Sequence, residues 1–145
     1  MIFRIGENVL DIDVERTRMY FEQNDQEICD CLGCKNYQLF AQDPGEKLDA
    51  FFSQFGLKMA DVIESTALES EKKDTLSYFC FYHLCGEIIQ GSSENYEAGN
   101  LSMRFKEEKD LMAENFPQPS LQMELWIDIP WVLAEKNAYY IEPRE

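Results

Sequence analysis

The spacing of apolar residues changes character about half-way along the chain. Near the start, Ile2-Phe3-Arg4-Ile5 and the alternating Val9-Leu10-Asp11-Ile12-Asp13-Val14 flank Gly6-Glu7-Asn8, which predicts two strands paired as a hairpin. Asp13 is placed to cap a short helix over 15–22, where Thr17, Tyr20 and Phe21 share one face. A second short helix is predicted by the i, i+3, i+4 spacing of Tyr37, Phe40 and Ala41. A third is predicted over 44–55. There Asp43 reads as N-cap, Pro44 as first helical residue and Glu46 as the partner of a capping box, while Leu48, Phe51, Phe52 and Phe55 make one apolar face and Gly56 the stop.

Beyond about residue 75 the pattern becomes strand-like. Thr75 to Gln90 is rich in aromatic and β-branched residues and reads as a long central strand with a bend at Gly86. Leu101 to Lys106, Leu111 to Asn115 and Leu121 to Ile129 continue in the same style, separated by polar turns and by Pro117-Gln118-Pro119. Helical patterns early and strand patterns late predict an α+β fold. Short N-terminal helices would pack on an antiparallel sheet or sandwich formed mainly by the C-terminal half, in a single domain over 1–145. No internal repeat, low-complexity tract or long linker divides the chain.

Charge narrows the function. The chain has 28 Asp and Glu against 13 Lys and Arg, a net charge of −15 at pH 7. Nucleic acid and anionic membrane surfaces need a basic stripe, and the densest basic runs, Lys72-Lys73 and Arg104-Phe105-Lys106, sit among acids. No apolar run is long enough to span a bilayer, and no basic segment followed by an apolar stretch opens the chain, so a cytoplasmic location is expected. The expected partner is a basic protein, drawn in by long-range attraction. Nothing in the sequence specifies the oligomeric state.

The chemistry is concentrated in Cys29-Asp30-Cys31-Leu32-Gly33-Cys34, where three of the five cysteines fall within six residues. In a reducing compartment such a set points to thiolate ligands or a redox site before a disulfide framework. Cys29, Cys31 and Cys34 supply three soft ligands for a structural zinc, which takes four. The fourth must come from afar. His83, the only histidine, is the first candidate; Cys85 is the substitute, since on a strand it shares a face with His83 while Cys80 points the other way. The same thiols allow a dithiol couple of Cys31 and Cys34, with Cys34 near a helix start and beside Lys35. A third reading makes the cysteines small, buried apolar side chains. No serine or cysteine triad is specified around His83, and Asp11 and Asp13 form a pair of the kind expected by chance in so acidic a chain. Trp126 and Trp131, around Pro130, read as closing the core at the end of the last strand.

Cys29-x-Cys31-x-x-Cys34-Lys35-Asn36-Tyr37, Tyr82-His83-Leu84-Cys85-Gly86-Glu87 and Pro130-Trp131-Val132-Leu133 together resemble an uncharacterised family of small bacterial proteins. That family is marked by a Cys-x-Cys-x-x-Cys-Arg/Lys-Asn-Tyr run and a C-terminal Pro-Trp-Val-Leu. The resemblance implies a bacterial cytoplasmic protein and no activity. The expectation is therefore a non-enzymatic, protein-binding molecule, of immunity or inhibitor type, with a structural cysteine cluster able to hold zinc on Cys29, Cys31, Cys34 and His83. The alternative is a thiol-dependent redox enzyme using Cys31 and Cys34.

Overall fold

The strand-like second half joins the N-terminal hairpin and one further strand in a seven-stranded sheet in which neighbouring strands run antiparallel. A computed structural model describes residues 1–143. In chain order the elements are β1 (Ile2–Ile5), β2 (Asn8–Ile12), α1 (Val14–Gln23), α2 (Leu32–Ala41), α3 (Glu46–Ser53), a 3-10 turn (Met59–Asp61), β3 (Glu64–Leu68), β4 (Thr75–Gln90), β5 (Tyr96–Ala98), β6 (Leu101–Lys106) and β7 (Ser120–Pro130). Strand order is β1-β2-β4-β7-β6-β5, and β3 also pairs with β4. The expected α+β architecture, with helices early and strands mostly late, is what forms.

Alternation along β4 decides the two faces. Leu76, Tyr78, Cys80, Tyr82 and Leu84 are buried, and the register sets Tyr78 opposite Ile127, Cys80 opposite Leu125 and Tyr82 opposite Met123. Helices α2 and α3 cover this face: Tyr37 of α2 packs edge-on against Tyr78 at 5.2 Å and Phe52 of α3 lies 4.9 Å from Tyr82. The other face carries Phe79, Phe81 and His83 of β4 beside Trp126, Glu124 and Gln122 of β7. Phe79 contacts Trp126 at 5.0 Å, and the Arg104 guanidinium lies 5.6 Å over the Trp126 ring. Trp126 is thus an outer-face residue, whereas Trp131 follows β7, packs against the core edge and donates from Nε1 to the Glu135 carbonyl at 2.7 Å.

Part of the outer face is closed by the connection 107–119. The Asp110 amide donates to Gln122 Oε1 at 2.8 Å, the Gln122 amide donates to Asp110 Oδ2 at 3.0 Å, and Phe116 packs on His83 at 5.7 Å. Beneath it Glu124, nearly fully buried, meets Arg104 at 2.7 Å and Lys106 at 3.1 Å. Burial opposes ionisation of that carboxyl, but the two cations and Gln122 hold it below its ordinary value.

Three local expectations are corrected. The third helix starts at Glu46 with Gly45 as an N-cap that offers no side chain, not with Asp43 as the cap. Asp43 is used otherwise, its amide donating to the Phe40 carbonyl at 3.2 Å as α2 ends. The helix closes at Ser53, and Phe55 reaches the core from the following turn, before Gly56 at φ +84°. Leu111 to Asn115 forms no strand: Leu111 has φ 53°, is 70% exposed, and sits in the 107–119 connection. β3 and β5 carry no strong strand pattern, since β3 buries only Ser65 and β5 is exposed throughout. After β7 the chain is tied down where the Ile141 amide donates to the Ser70 carbonyl at 2.8 Å; residues 144 and 145 lie outside the described residues. Among the described residues, no helix is long and apolar enough to cross a membrane.

Gly86 of β4 is where β2 ends its pairing, opposite Ile12. Gly86 has φ +152°, and a Cβ there would stand 2.2 Å from the Asp11 carbonyl oxygen and 2.9 Å from the Ile12 Cα. Backbone offers no flexible end that could move aside. Gly86→Ala is expected to lower the unfolding free energy by about 2–3 kcal/mol, read from urea melts; an unchanged midpoint would show that the two strands are not close-packed at this pair.

Candidate metal centre

The cysteine cluster is built by the start of α2. Cys31 is its N-cap, with φ −65° and ψ 159°, and its Sγ accepts the Cys34 amide at 3.4 Å, the place usually filled by a serine or aspartate oxygen. Two residues earlier, Cys29 Sγ lies 3.5 Å from the Cys31 amide. Cys34, one turn into the helix, is buried and turned to β3, where it lies 3.6 Å from the Ser65 carbonyl and 3.7 Å from the Ser65 hydroxyl. The result is that the three Sγ atoms lie within 4.8 Å of one another, with Cys29 and Cys31 exposed and Cys34 behind them.

Gly33 lets this turn seat. A Cβ on it would fall 2.8 Å from the Ala67 Cβ and 2.9 Å from the Tyr139 hydroxyl. Its amide instead donates to that hydroxyl at 3.1 Å, and its carbonyl accepts from the Tyr78 hydroxyl at 2.6 Å. The residues after the cluster hold it in place. Asn36, fully buried, donates to the Tyr78 hydroxyl at 3.2 Å and to the Pro130 carbonyl at 3.1 Å, and accepts the Val132 amide at 2.7 Å. Tyr37 shares a 2.5 Å hydrogen bond with the Tyr82 hydroxyl, which donates in turn to the Met59 carbonyl at 2.7 Å. The Lys-Asn-Tyr run and the Pro-Trp-Val run thus meet at Asn36.

Electrostatics separates the two thiols of the Cys-x-x-Cys pair. For Cys31, partial burial opposes ionisation, but hydrogen bonds from the Cys34 amide and thiol, from Cys29 and from the Tyr139 hydroxyl bring it below its ordinary value. Cys34 is pushed up to about 12 by burial first and by its bond with Cys31 second. The thiol favoured as thiolate is therefore Cys31. The sequence assigned that place to Cys34 because it put the helix start too late.

The distant candidates do not join this group. Among the described residues, the metal-ligating atoms gathered within 4.8 Å are those of Cys29, Cys31 and Cys34 only. His83 is fully buried on the outer face, with Nε2 3.1 Å from Gln122 Oε1 and its ring between Phe81 and Phe116. Its Nδ1 has no hydrogen-bond partner among the described residues. Cys80 lies on the inner face beside the Tyr37 hydroxyl at 3.6 Å and is pushed up to about 12 by burial. The Cys85 thiol is likewise raised by burial, and its amide donates to Thr17 Oγ1 at 3.1 Å. Asp11 and Asp13 serve the backbone, Asp11 pairing with the Met1 ammonium at 3.1 Å and Asp13 accepting the Arg16 amide of α1 at 3.1 Å.

Tyr139, Ser65 and Gly33 support the cluster without having been singled out in the sequence. Tyr139 stands 106 residues from Gly33, so no local pattern links them. Compared with known proteins, the chain matches no family model, no curated protein and no solved structure.

Two outcomes follow for the metal-free protein. Iodoacetamide near pH 7 is expected to modify Cys29 and Cys31 at least about tenfold faster than Cys34, Cys80 and Cys85, with peptide mapping as the readout; uniform rates would contradict the assigned burial. His83 titrates below its ordinary 6.5 because burial disfavours the charged ring. As pH falls, the unfolded chain takes up the proton first, so this contribution to stability is complete above 6.5 and is lost as pH drops toward the folded-state value. Being the only histidine, it gives one imidazole NMR signal to follow. The thermal midpoint should fall between pH 7 and 5.5, and His83→Gln should flatten that slope; an imidazole that titrates at 6.5 or above would refute the assignment.

Proposed function

We propose that this chain is a non-enzymatic protein-binding molecule in which a zinc ion on Cys29, Cys31 and Cys34 fixes the approach to α2. The observation that carries this reading is the convergence of three Sγ atoms within 4.8 Å. Thiolates are preferred ligands of zinc, and sulfurs at that separation can all reach one ion. Residues 25–30 make no backbone–backbone hydrogen bond with other described residues, so an ion shared with the start of α2 would order a segment that secondary structure does not.

The net charge of −15 supports a basic protein as partner, and the concrete form is an immunity or inhibitor protein that covers the cationic site of a toxin or nuclease. The resemblance to small bacterial proteins fits a bacterial cytoplasmic setting. A second reading has its own observation. Cys31 is exposed, N-capping and the more acidic thiol, with Cys34 buried one turn behind it, which suits thiol–disulfide exchange with Cys31 attacking and Cys34 resolving.

Metal analysis separates the two. Protein purified without chelator or metal-affinity resin is expected to carry about one zinc per chain, lost in Cys29→Ser, Cys31→Ser and Cys34→Ser and kept in His83→Ala. No metal as purified, and none taken up from buffered zinc, would overturn the zinc reading and leave the dithiol.

A further inference from the structure

We infer that the fourth ligand of the ion comes from outside the chain, as an imidazole or thiolate side chain of the basic partner, so that the zinc bridges the two proteins. The inference rests on the zinc reading above and begins from the ligand count. Zinc held in a protein takes four ligands, and a site with three keeps an open position. Here, among the described residues, neither a histidine, a cysteine nor a carboxylate adds a fourth atom to the three sulfurs gathered within 4.8 Å. His83 is held under Phe116 on the outer face, and Cys80 is held on the inner face by Tyr37.

The open position has a direction. Cys34 is buried behind the cluster while Cys29 and Cys31 are exposed, so the unfilled side faces outward. The surface beside it is suited to a cationic chain. A cavity of about 40 Å³ reaches Cys29 and Cys34 and is lined also by Glu27, Ile63 and Glu64. The same three residues line a neighbouring cleft of about 470 Å³ that runs past Asp25 to Leu111. No lysine or arginine lines either one, so carboxylates there are free to meet the partner's cations. Ile28, 54% exposed next to Cys29, and Leu111, 70% exposed at the far end, add apolar contact at both ends. The occupant is a Lys- and Arg-bearing segment with a histidine or cysteine in reach of the ion. A water molecule would hold the position until that segment arrives.

The test uses the full chain loaded with cobalt(II), whose visible bands report its ligands, or with zinc. The probes are a Lys/Arg-rich peptide with one histidine, the same peptide with alanine in its place, and free imidazole. The histidine peptide is expected to shift the cobalt bands and to bind the zinc-loaded chain about tenfold or more tightly than the alanine peptide, a difference that vanishes in the zinc-free chain. Glu27→Gln with Glu64→Gln is expected to weaken both peptides and leave cobalt uptake unchanged. Uptake of cobalt with bands that the histidine peptide does not move, or equal binding of the two peptides, would overturn this inference and leave the zinc reading standing. Free imidazole matching the histidine peptide at equal concentration would overturn the protein partner. A chain that takes up neither metal would overturn both readings at once.

Discussion

One buried amide sets the position of the cysteine cluster. Asn36 sits without solvent contact and uses both ends of its side chain, donating to Tyr78 and Pro130 and accepting from Val132. A primary amide buried without partners costs several kcal/mol in transfer, so the arrangement is stable only if all these bonds form together. That requirement locks α2 in rotation and in height above the sheet. It also fixes where β7 ends, since the carbonyl at Pro130 and the amide at Val132 must present to the same side chain. With α2 fixed, Cys31 falls at its first turn and Cys34 faces Ser65 with no freedom left to choose otherwise.

The two faces of the sheet are stabilised by different physics. The inner face is apolar burial with aromatic edges, where Tyr37, Tyr78, Tyr82 and Phe52 interlock and every hydroxyl finds a partner. The outer face buries polar groups instead, with Glu124 neutralised by Arg104 and Lys106 and Gln122 engaged with Asp110 and His83. A buried pair of this kind adds little net stability over an apolar core but is costly when one member is missing. Its effect is to position the 107–119 connection, because Asp110 exchanges two hydrogen bonds with the buried Gln122.

The parts of this architecture that were legible in the sequence are those written in a local period. The 75–90 strand, the capped helix after Asp13 and the hairpin before it all follow from spacing and turn chemistry over ten or so residues. The start of α2 was not legible, because a cysteine rarely fills the N-cap place and its sulfur gave no recognisable capping signal. Asp43-Pro44 imitates a helix start but belongs to the turn that ends α2. At the site, the three clustered cysteines were visible from spacing alone. The fate of His83 was not, since what occupies it, Gln122 and Phe116, lies 33 and more residues away in the chain. Strand alternation separated Cys80 from His83 correctly, but facing direction says nothing about distance from a loop elsewhere in sequence.

The contact between Gly33 and Tyr139 has a consequence for biosynthesis. It joins residues 106 positions apart, and Asn36 reaches 94 and 96 positions forward to Pro130 and Val132. During translation the cysteines therefore leave the ribosome long before the residues that immobilise them, and at ordinary elongation rates they wait several seconds in an unfinished chain. In that interval the thiols are neither capped by a helix nor shielded by β3. The fold therefore protects the cluster only once the C-terminal residues have been made, so the cysteines are most open to reaction before the chain is complete.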